Sequence, residues 1–199
     1  MNALAPRSAR RTDTARLQRF LTRIGTLLSE PQPESLLLAD AARFLADLVR
    51  PDDWLPDAYA VPDPQYYRQY LLHRDPAARF SLVSFVWGPG QATPVHDHGV
   101  WGVVGVLRGA ELVEDFRRDA QGTLRRDGDL RILDTSEVES FSPATGDIHR
   151  VANAYDDRVS VSIHLYGADI GTVERATYDR AGRPKRFVSG YTDLPALIA

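Results

Sequence analysis

The sequence contains no cysteine. Disulfide bonds, thiolate zinc sites and a cysteine nucleophile are therefore excluded, and any transition metal bound to this chain must be held by His, Asp or Glu. The lack of cysteine also favours a cytoplasmic location, because oxidising compartments tend to select for disulfides.

Long apolar runs and a large charge excess are missing as well. No stretch approaches the ~18 apolar residues of a membrane-spanning helix, and the polar N-terminus lacks the apolar core of a secretory signal. The net charge is only −3, which gives no sign of a nucleic-acid or membrane-surface binder. We therefore expect neither nucleic acid nor membrane as a partner.

The length of 199 residues is enough for one large core, and we therefore expect a single domain, built from two parts. Apolar residues at helical spacing predict helices over 14–28 and 34–50, and Asp63-Pro64 predicts a short third helix over 65–73. Residues 1–75 are thus expected to supply N-terminal helices packed on a β-barrel over 80–191. Its strands are predicted at 80–87, 94–98, 101–107, 110–117, 129–134, 137–141, 147–152, 158–166, 172–177 and 186–189. The predicted class is α+β, mostly β, with a barrel or sandwich as its bulk.

The stretch Pro94-Val-His-Asp-His-Gly-Val-Trp101 is a candidate metal site. His96 and His98 are one residue apart on a predicted strand, so both side chains project from the same face. At a rise of about 3.3 Å per residue their Cα atoms would lie about 6.6 Å apart, close enough for both rings to bind one ion. On this spacing alone, a pair of surface or structural histidines is an equally good interpretation.

A second block, Phe141 to Asn153, favours the metal site over a pair of surface or structural histidines. Together the two blocks resemble the paired motifs of the cupin superfamily through Gly90, His96, His98, Gly109, Gly146, His149 and Asn153. The resemblance implies a jelly-roll barrel in which His96, His98 and His149 bind a metal. The glutamate that the first motif normally carries would fall on Gly102 or Val103, so a carboxylate ligand has been lost. A divalent metal on three neutral ligands keeps its full charge, which favours anionic groups and above all a thiolate.

A third feature is the strict alternation of Val159 to Tyr166. It places Ser160, Ser162, His164 and Tyr166 on one face, where neighbours two apart can hydrogen-bond in series. The alternative is that this face is the polar outer surface of an edge strand.

With this Ser-x-His-x-Tyr pattern, the chain resembles the cysteine dioxygenase family of thiol dioxygenases. The resemblance implies a non-haem Fe(II) enzyme that inserts both atoms of O2 into a small thiol to give a sulfinate. It also implies that Ser162, His164 and Tyr166 act together beside the metal. Mammalian-type members carry a Cys–Tyr cross-link, which this chain cannot form, so Tyr166 would be a free phenol.

The substrate prediction depends on Gln69. Cysteine-specific members carry an arginine at the matching position, which pairs with the substrate carboxylate. A glutamine there, and Phe85-Val-Trp-Gly-Pro-Gly-Gln91, resemble the bacterial 3-mercaptopropionate dioxygenases. The candidate partner for the carboxylate is then Arg175, for which an exposed surface arginine is an equally good interpretation. An alignment shifted by one residue would instead bring Arg68 into place and make L-cysteine the substrate.

Two other functions stay open at this stage. One is an iron or nickel cupin that acts on a diketone, flavonol or sugar, and the other is a non-catalytic cupin that binds a small molecule. By ligand type alone, a site of three histidines suits Fe, Zn, Ni or Cu. We expect a monomer or a weak homo-oligomer.

Overall fold

The computed structural model describes residues 14–198, so the polar N-terminal segment discussed above lies largely outside the described residues. Within these residues, two helices and a 3-10 turn come first: α1 Ala15–Leu27, α2 Glu34–Val49 and the turn Asp57–Tyr59. The strands that follow are β1 Arg68–Arg74, β2 Ser81–Trp87, β3 Val95–His96, β4 Gly102–Arg108, β5 Ala110–Arg118, β6 Leu124–Arg126, β7 Arg131–Asp134, β8 Val138–Phe141, β9 Ile148–Asn153, β10 Ser160–Tyr166, β11 Arg175–Tyr178 and β12 Pro184–Phe187.

The strands form two sheets that face each other. One sheet has the order β1-β2-β10-β4-β8, and the other has the order β12-β11-β3-β9-β5-β6 with β7 added on the side of β5. Every pairing between these strands is antiparallel, and several neighbours, such as β2 with β10 and β3 with β9, are distant in sequence, as in jelly-roll barrels. The fold is therefore the expected one, a mostly β cupin barrel preceded by helices.

The predicted third helix over 65–73 is wrong. The carboxylate of Asp63 does accept hydrogen bonds from the backbone N–H groups of Gln65 and Tyr66, but they close a local turn and no helix follows. Instead β1 pairs along β2, whose edge would otherwise be unpaired. A local capping signal was thus overridden by sheet pairing, and the barrel begins at Arg68, inside the segment assigned to helices.

The core lies in two layers. The apolar stripes of α1 and α2 pack against the outer side of the first sheet, around residues such as Leu45, Val103 and Ile163. A second cluster, which includes Val83, Val106 and Val151, fills the space between the sheets beside the histidines. Within residues 14–198, neither helix is long and apolar enough to cross a membrane.

Candidate metal centre

Three of the predicted site residues converge inside the barrel. His96 on β3 is the register partner of His149 on β9, so both side chains leave the same face of the sheet. His98 follows in the loop after β3, and all three residues are buried. One ring nitrogen from each lies within 4.8 Å of the others, a spacing at which one ion can bind all three.

Backbone carbonyls set the orientation of two of these rings. Nδ1 of His96 lies 3.1 Å from the carbonyl oxygen of Pro94, and Nδ1 of His98 lies 3.0 Å from that of Asp147. Because a carbonyl oxygen accepts and does not donate, each Nδ1 must carry the hydrogen. The lone pair of each ring is then on Nε2 and is available to a metal.

Two carboxylates hold the segment that carries His96 and His98. Asp147 accepts hydrogen bonds from the backbone N–H groups of His98 and Gly99, at 3.1 and 3.0 Å. Asp97 accepts from the backbone of Ala176 and from the hydroxyl of Tyr178 on β11. Asp97 therefore anchors the loop to a neighbouring strand and is not directed at the three histidines.

Burial keeps these imidazoles neutral. It lowers the pKa of His96 to about 4 and holds the pKa of His98 and of His149 well below the usual value. The nearby histidines and the positive charge of Arg175 add to this effect for His98. Neutral, preoriented rings fit a divalent transition metal.

The position of the missing glutamate is filled by an aromatic ring. A Cβ atom added to Gly102 would clash with the ring of Phe141, and the Phe141 ring packs on His98 at a centroid distance of 4.2 Å. Val103 belongs to the core cluster under the helices. Neither position therefore has room for a carboxylate ligand.

The predicted series of hydrogen bonds is present on β10. Oγ of Ser162 lies 2.8 Å from Nε2 of His164, and Nδ1 of His164 lies 2.9 Å from the hydroxyl of Tyr166. All three side chains are buried, so the alternative of a polar outer face does not hold. Phe85 stacks on the His164 ring at 4.1 Å, which fixes its plane.

A cavity of about 250 Å³ connects the two groups. The three converging histidines, His164 and Tyr166 line it, and its walls are largely aromatic, from Tyr67, Phe85, Trp87 and Phe187. Within the described part of the chain, no Asp or Glu lines this cavity. The volume lies below the range typical of drug-sized ligands, so the cavity suits a small molecule.

Gln69 and Arg175 both line the same cavity. Arg175 is 4% exposed, which excludes a surface arginine; its Nη2 donates to Oγ of Ser189, while its Nε has no hydrogen-bond partner among the described residues. Arg68, in contrast, pairs with Asp63 and does not line the cavity, because adjacent strand residues face opposite ways.

Two features were not predicted from the sequence. The first is the aromatic wall of the cavity, in which the rings of Tyr67 and Trp87 are tilted against each other with centroids 4.9 Å apart. Glu111 on β5 is buried next to Ser162, and nothing in its local sequence distinguishes it from neighbouring surface acids.

Comparison with known proteins decides the family. The family model described as cysteine dioxygenase type I matches residues 40–181. The chain belongs to this family. Membership indicates a metal-binding dioxygenase and suggests thiol oxidation.

Similar solved structures share low sequence identity with this cysteine dioxygenase family member. They include a conserved double-stranded β-helix protein from Klebsiella pneumoniae, with 13% identity over 67% of this chain and 92% of that chain and a TM-score of 0.45. Another is a cupin superfamily protein from Desulfitobacterium hafniense, with 13% identity over 60% and 94% and a TM-score of 0.44.

The geometry predicts that metal binding depends on His149. His149→Ala should lower the affinity for Fe(II) or Zn(II) by about 100-fold or more, because two rings cannot replace three. His73→Ala is the matched control, since His73 is also buried but bonds the carbonyl of Ile198 far from the cavity. Metal content after reconstitution measures both, and equal metal in the two folded variants would contradict the site.

The Phe141 ring predicts that Gly102 tolerates no side chain. Gly102→Ala should lower the free energy of unfolding by about 1–3 kcal/mol and weaken metal binding, because Phe141 must move and release His98. Gly25→Ala is the control: its Cβ would meet only Nη2 of Arg79 at 3.8 Å. Denaturant unfolding of both variants tests this, and a Gly102→Ala protein as stable as Gly25→Ala would refute it.

Proposed function

We propose that the protein is an Fe(II)-dependent thiol dioxygenase whose preferred substrate is 3-mercaptopropionate. The balanced reaction adds one O2 to the thiol and yields 3-sulfinopropionate, with both oxygen atoms on sulfur. The observation that carries the substrate class is Arg175, a buried guanidinium without an ion pair among the described residues, beside three neutral histidines.

The charges of the cavity favour a substrate with two negative groups. Burial lowers the pKa of Arg175 from its ordinary value, yet a guanidinium stays protonated in proteins. A buried unpaired cation is costly, and a carboxylate that forms a bidentate pair with it relieves that cost. A divalent metal on three neutral ligands would take the thiolate.

The same charges disfavour an ammonium group. No carboxylate lines the cavity within residues 14–198, so the amine of cysteine or cysteamine would find no counter-ion there. Gln69 offers only a neutral amide. A thiol acid without an amine fits this lining best.

Within this proposal each group has a distinct role. His96, His98 and His149 would hold Fe(II), which when bound supplies the positions at which thiolate and O2 react. Arg175 holds the carboxylate, and the aromatic walls keep water away from the reacting sulfur. The Tyr166 hydroxyl, held by His164, donates a hydrogen bond into the cavity, and burial keeps its pKa raised so that it stays protonated.

L-Cysteine is the second candidate, because the family description names it. A diketone or flavonol substrate is disfavoured by the small volume of the cavity. A non-catalytic binding protein is disfavoured by the intact series of hydrogen bonds beside the three histidines.

Oxygen uptake by the Fe(II)-loaded protein tests both the activity and the role of Arg175. The kcat/KM ranking should be 3-mercaptopropionate first, cysteine second and cysteamine last. Arg175→Gln should raise the KM for 3-mercaptopropionate by about 10–100-fold, the value of a hydrogen-bonded charge pair, and leave cysteamine unaffected.

Arg68→Gln is the matched control, because Arg68 bonds Asp63 outside the cavity. Its kinetics should equal those of the unmodified protein. Absence of thiol-dependent oxygen uptake would refute the proposed activity. A ranking with cysteine first, or a KM effect in Arg68→Gln instead of Arg175→Gln, would refute the substrate assignment.

A further inference from the structure

Glu111 is a buried acid that the roles above leave unused. It is 1% exposed and is the only fully buried glutamate among residues 14–198. On β5 it lies opposite Asn153, at the far end of β9 from His149. Its side chain reaches across the barrel to the other sheet, where it meets Ser162 and Trp87.

Its contacts are hydrogen bonds and not ion pairs. Ser162 and Trp87 lie within hydrogen-bonding reach of the carboxyl group and favour its charged form, while Oε1 has no partner among the described residues. A small apolar cavity lies beside it, and the other titratable groups on that cavity are Glu139, His149 and His164. A carboxylate without a cation is costly to bury, so stability alone does not explain this residue.

Glu111 extends the series of hydrogen bonds on β10 by one member. The indole Nε1–H of Trp87 donates to Oγ of Ser162 at 3.2 Å. The Ser162 hydroxyl can then still donate one hydrogen bond and accept one more. Its two remaining partners are Glu111 and Nε2 of His164. The protonation of Glu111 therefore decides which of the two receives the hydrogen.

When Glu111 is neutral, its O–H donates to Ser162, and Ser162 donates to Nε2 of His164. His164 then carries its hydrogen on Nδ1 and donates it to the oxygen of Tyr166, 2.9 Å away. The hydrogen of the Tyr166 hydroxyl is left to point into the cavity.

When Glu111 is ionised, every hydrogen bond in the series reverses. Ser162 donates to the carboxylate and accepts from Nε2–H of His164, so Nδ1 must accept from Tyr166. The Tyr166 hydrogen is then directed away from the cavity and is lost to the reacting groups.

We propose that Glu111 is a positioning residue that acts through Ser162 and His164 to set the direction of the Tyr166 hydroxyl hydrogen. Its consequence for turnover rests on the proposed function, in which Tyr166 donates to the substrate or to O2. Only the neutral acid gives the productive direction.

The electrostatics of the site make both forms accessible near neutral pH. Burial, together with the negative charge of Glu139, outweighs the opposing effect of Ser162 and Trp87 and raises the pKa of Glu111 to about 7. His164 stays neutral throughout, because burial lowers its pKa to about 3. A change in His164 near neutral pH is therefore a change of tautomer.

Nitrogen-15 NMR of the histidine-labelled, Zn(II)-loaded protein reads that tautomer directly, with His164→Gln to assign the signals. We expect Nδ1–H at low pH and Nε2–H at high pH, with a midpoint at about pH 7, where the sign follows from loss of the acid proton. In Glu111→Gln, which is isosteric and does not titrate, the tautomer should not change with pH.

Glu139→Gln is the matched control, since Glu139 lines the same small cavity but bonds Arg131. It should keep the tautomer change and lower its midpoint, because a repulsive charge is removed. A single His164 tautomer across the range in the unmodified protein, or a change that persists in Glu111→Gln, would overturn the inference.

The pH profile of turnover links the inference to catalysis. In the Fe(II)-loaded protein, kcat should fall about tenfold from about pH 6 to about pH 8, because the loss of one hydrogen bond corresponds to about a tenfold change in rate. This decline should be absent in Glu111→Gln. A tautomer change without any thiol oxidation would refute the proposed function and leave the inference standing. Thiol oxidation without a tautomer change would refute the inference alone.

Discussion

The pairing of His96 with His149 across β3 and β9 is the constraint on which the site depends. Strand register places both rings on one face, and a backbone carbonyl turns each of His96 and His98 so that Nε2 is free. Asp97 and Asp147 hold the connecting loop by hydrogen bonds to neighbouring segments. The backbone therefore sets the geometry of the three-histidine cluster.

Two residues, Phe141 and Arg175, set the charge balance of the cavity. Phe141 takes the space beside Gly102 where a cupin glutamate would project, so the ligand set is neutral. Arg175 adds a buried positive charge to the same cavity. Both features make the electrostatic potential of the cavity more positive, which is the basis for proposing an anionic substrate.

The helices over 14–28 and 34–50 and most strands were predictable, because their apolar spacing matches the faces that are buried. The stretch 65–73 was not, since Asp63-Pro64 is equally compatible with a helix start and with a turn, and only the free edge of β2 decides. His96, His98 and His149 were predictable as one cluster, because the spacing of the two motifs resembles that of the cupin superfamily.

Burial is the property that the sequence conveyed least. Arg175 was as consistent with the surface as with the cavity, and it is its 4% exposure that distinguishes them. Glu111 and Glu114 lie on the same strand three positions apart, and only the closure of the barrel shows that Glu111 faces Ser162 while Glu114 pairs with Arg150 near the surface. Contacts between sheets cannot be read from the pattern along one strand.

Isotope labelling tests the central claim most directly. The Fe(II)-loaded protein would be supplied with 3-mercaptopropionate and ¹⁸O2, and the product analysed by mass spectrometry. A thiol dioxygenase yields 3-sulfinopropionate that carries two ¹⁸O atoms, both from the gas. Disulfide with hydrogen peroxide as the product, or a sulfinate with one or no ¹⁸O atom, would contradict it.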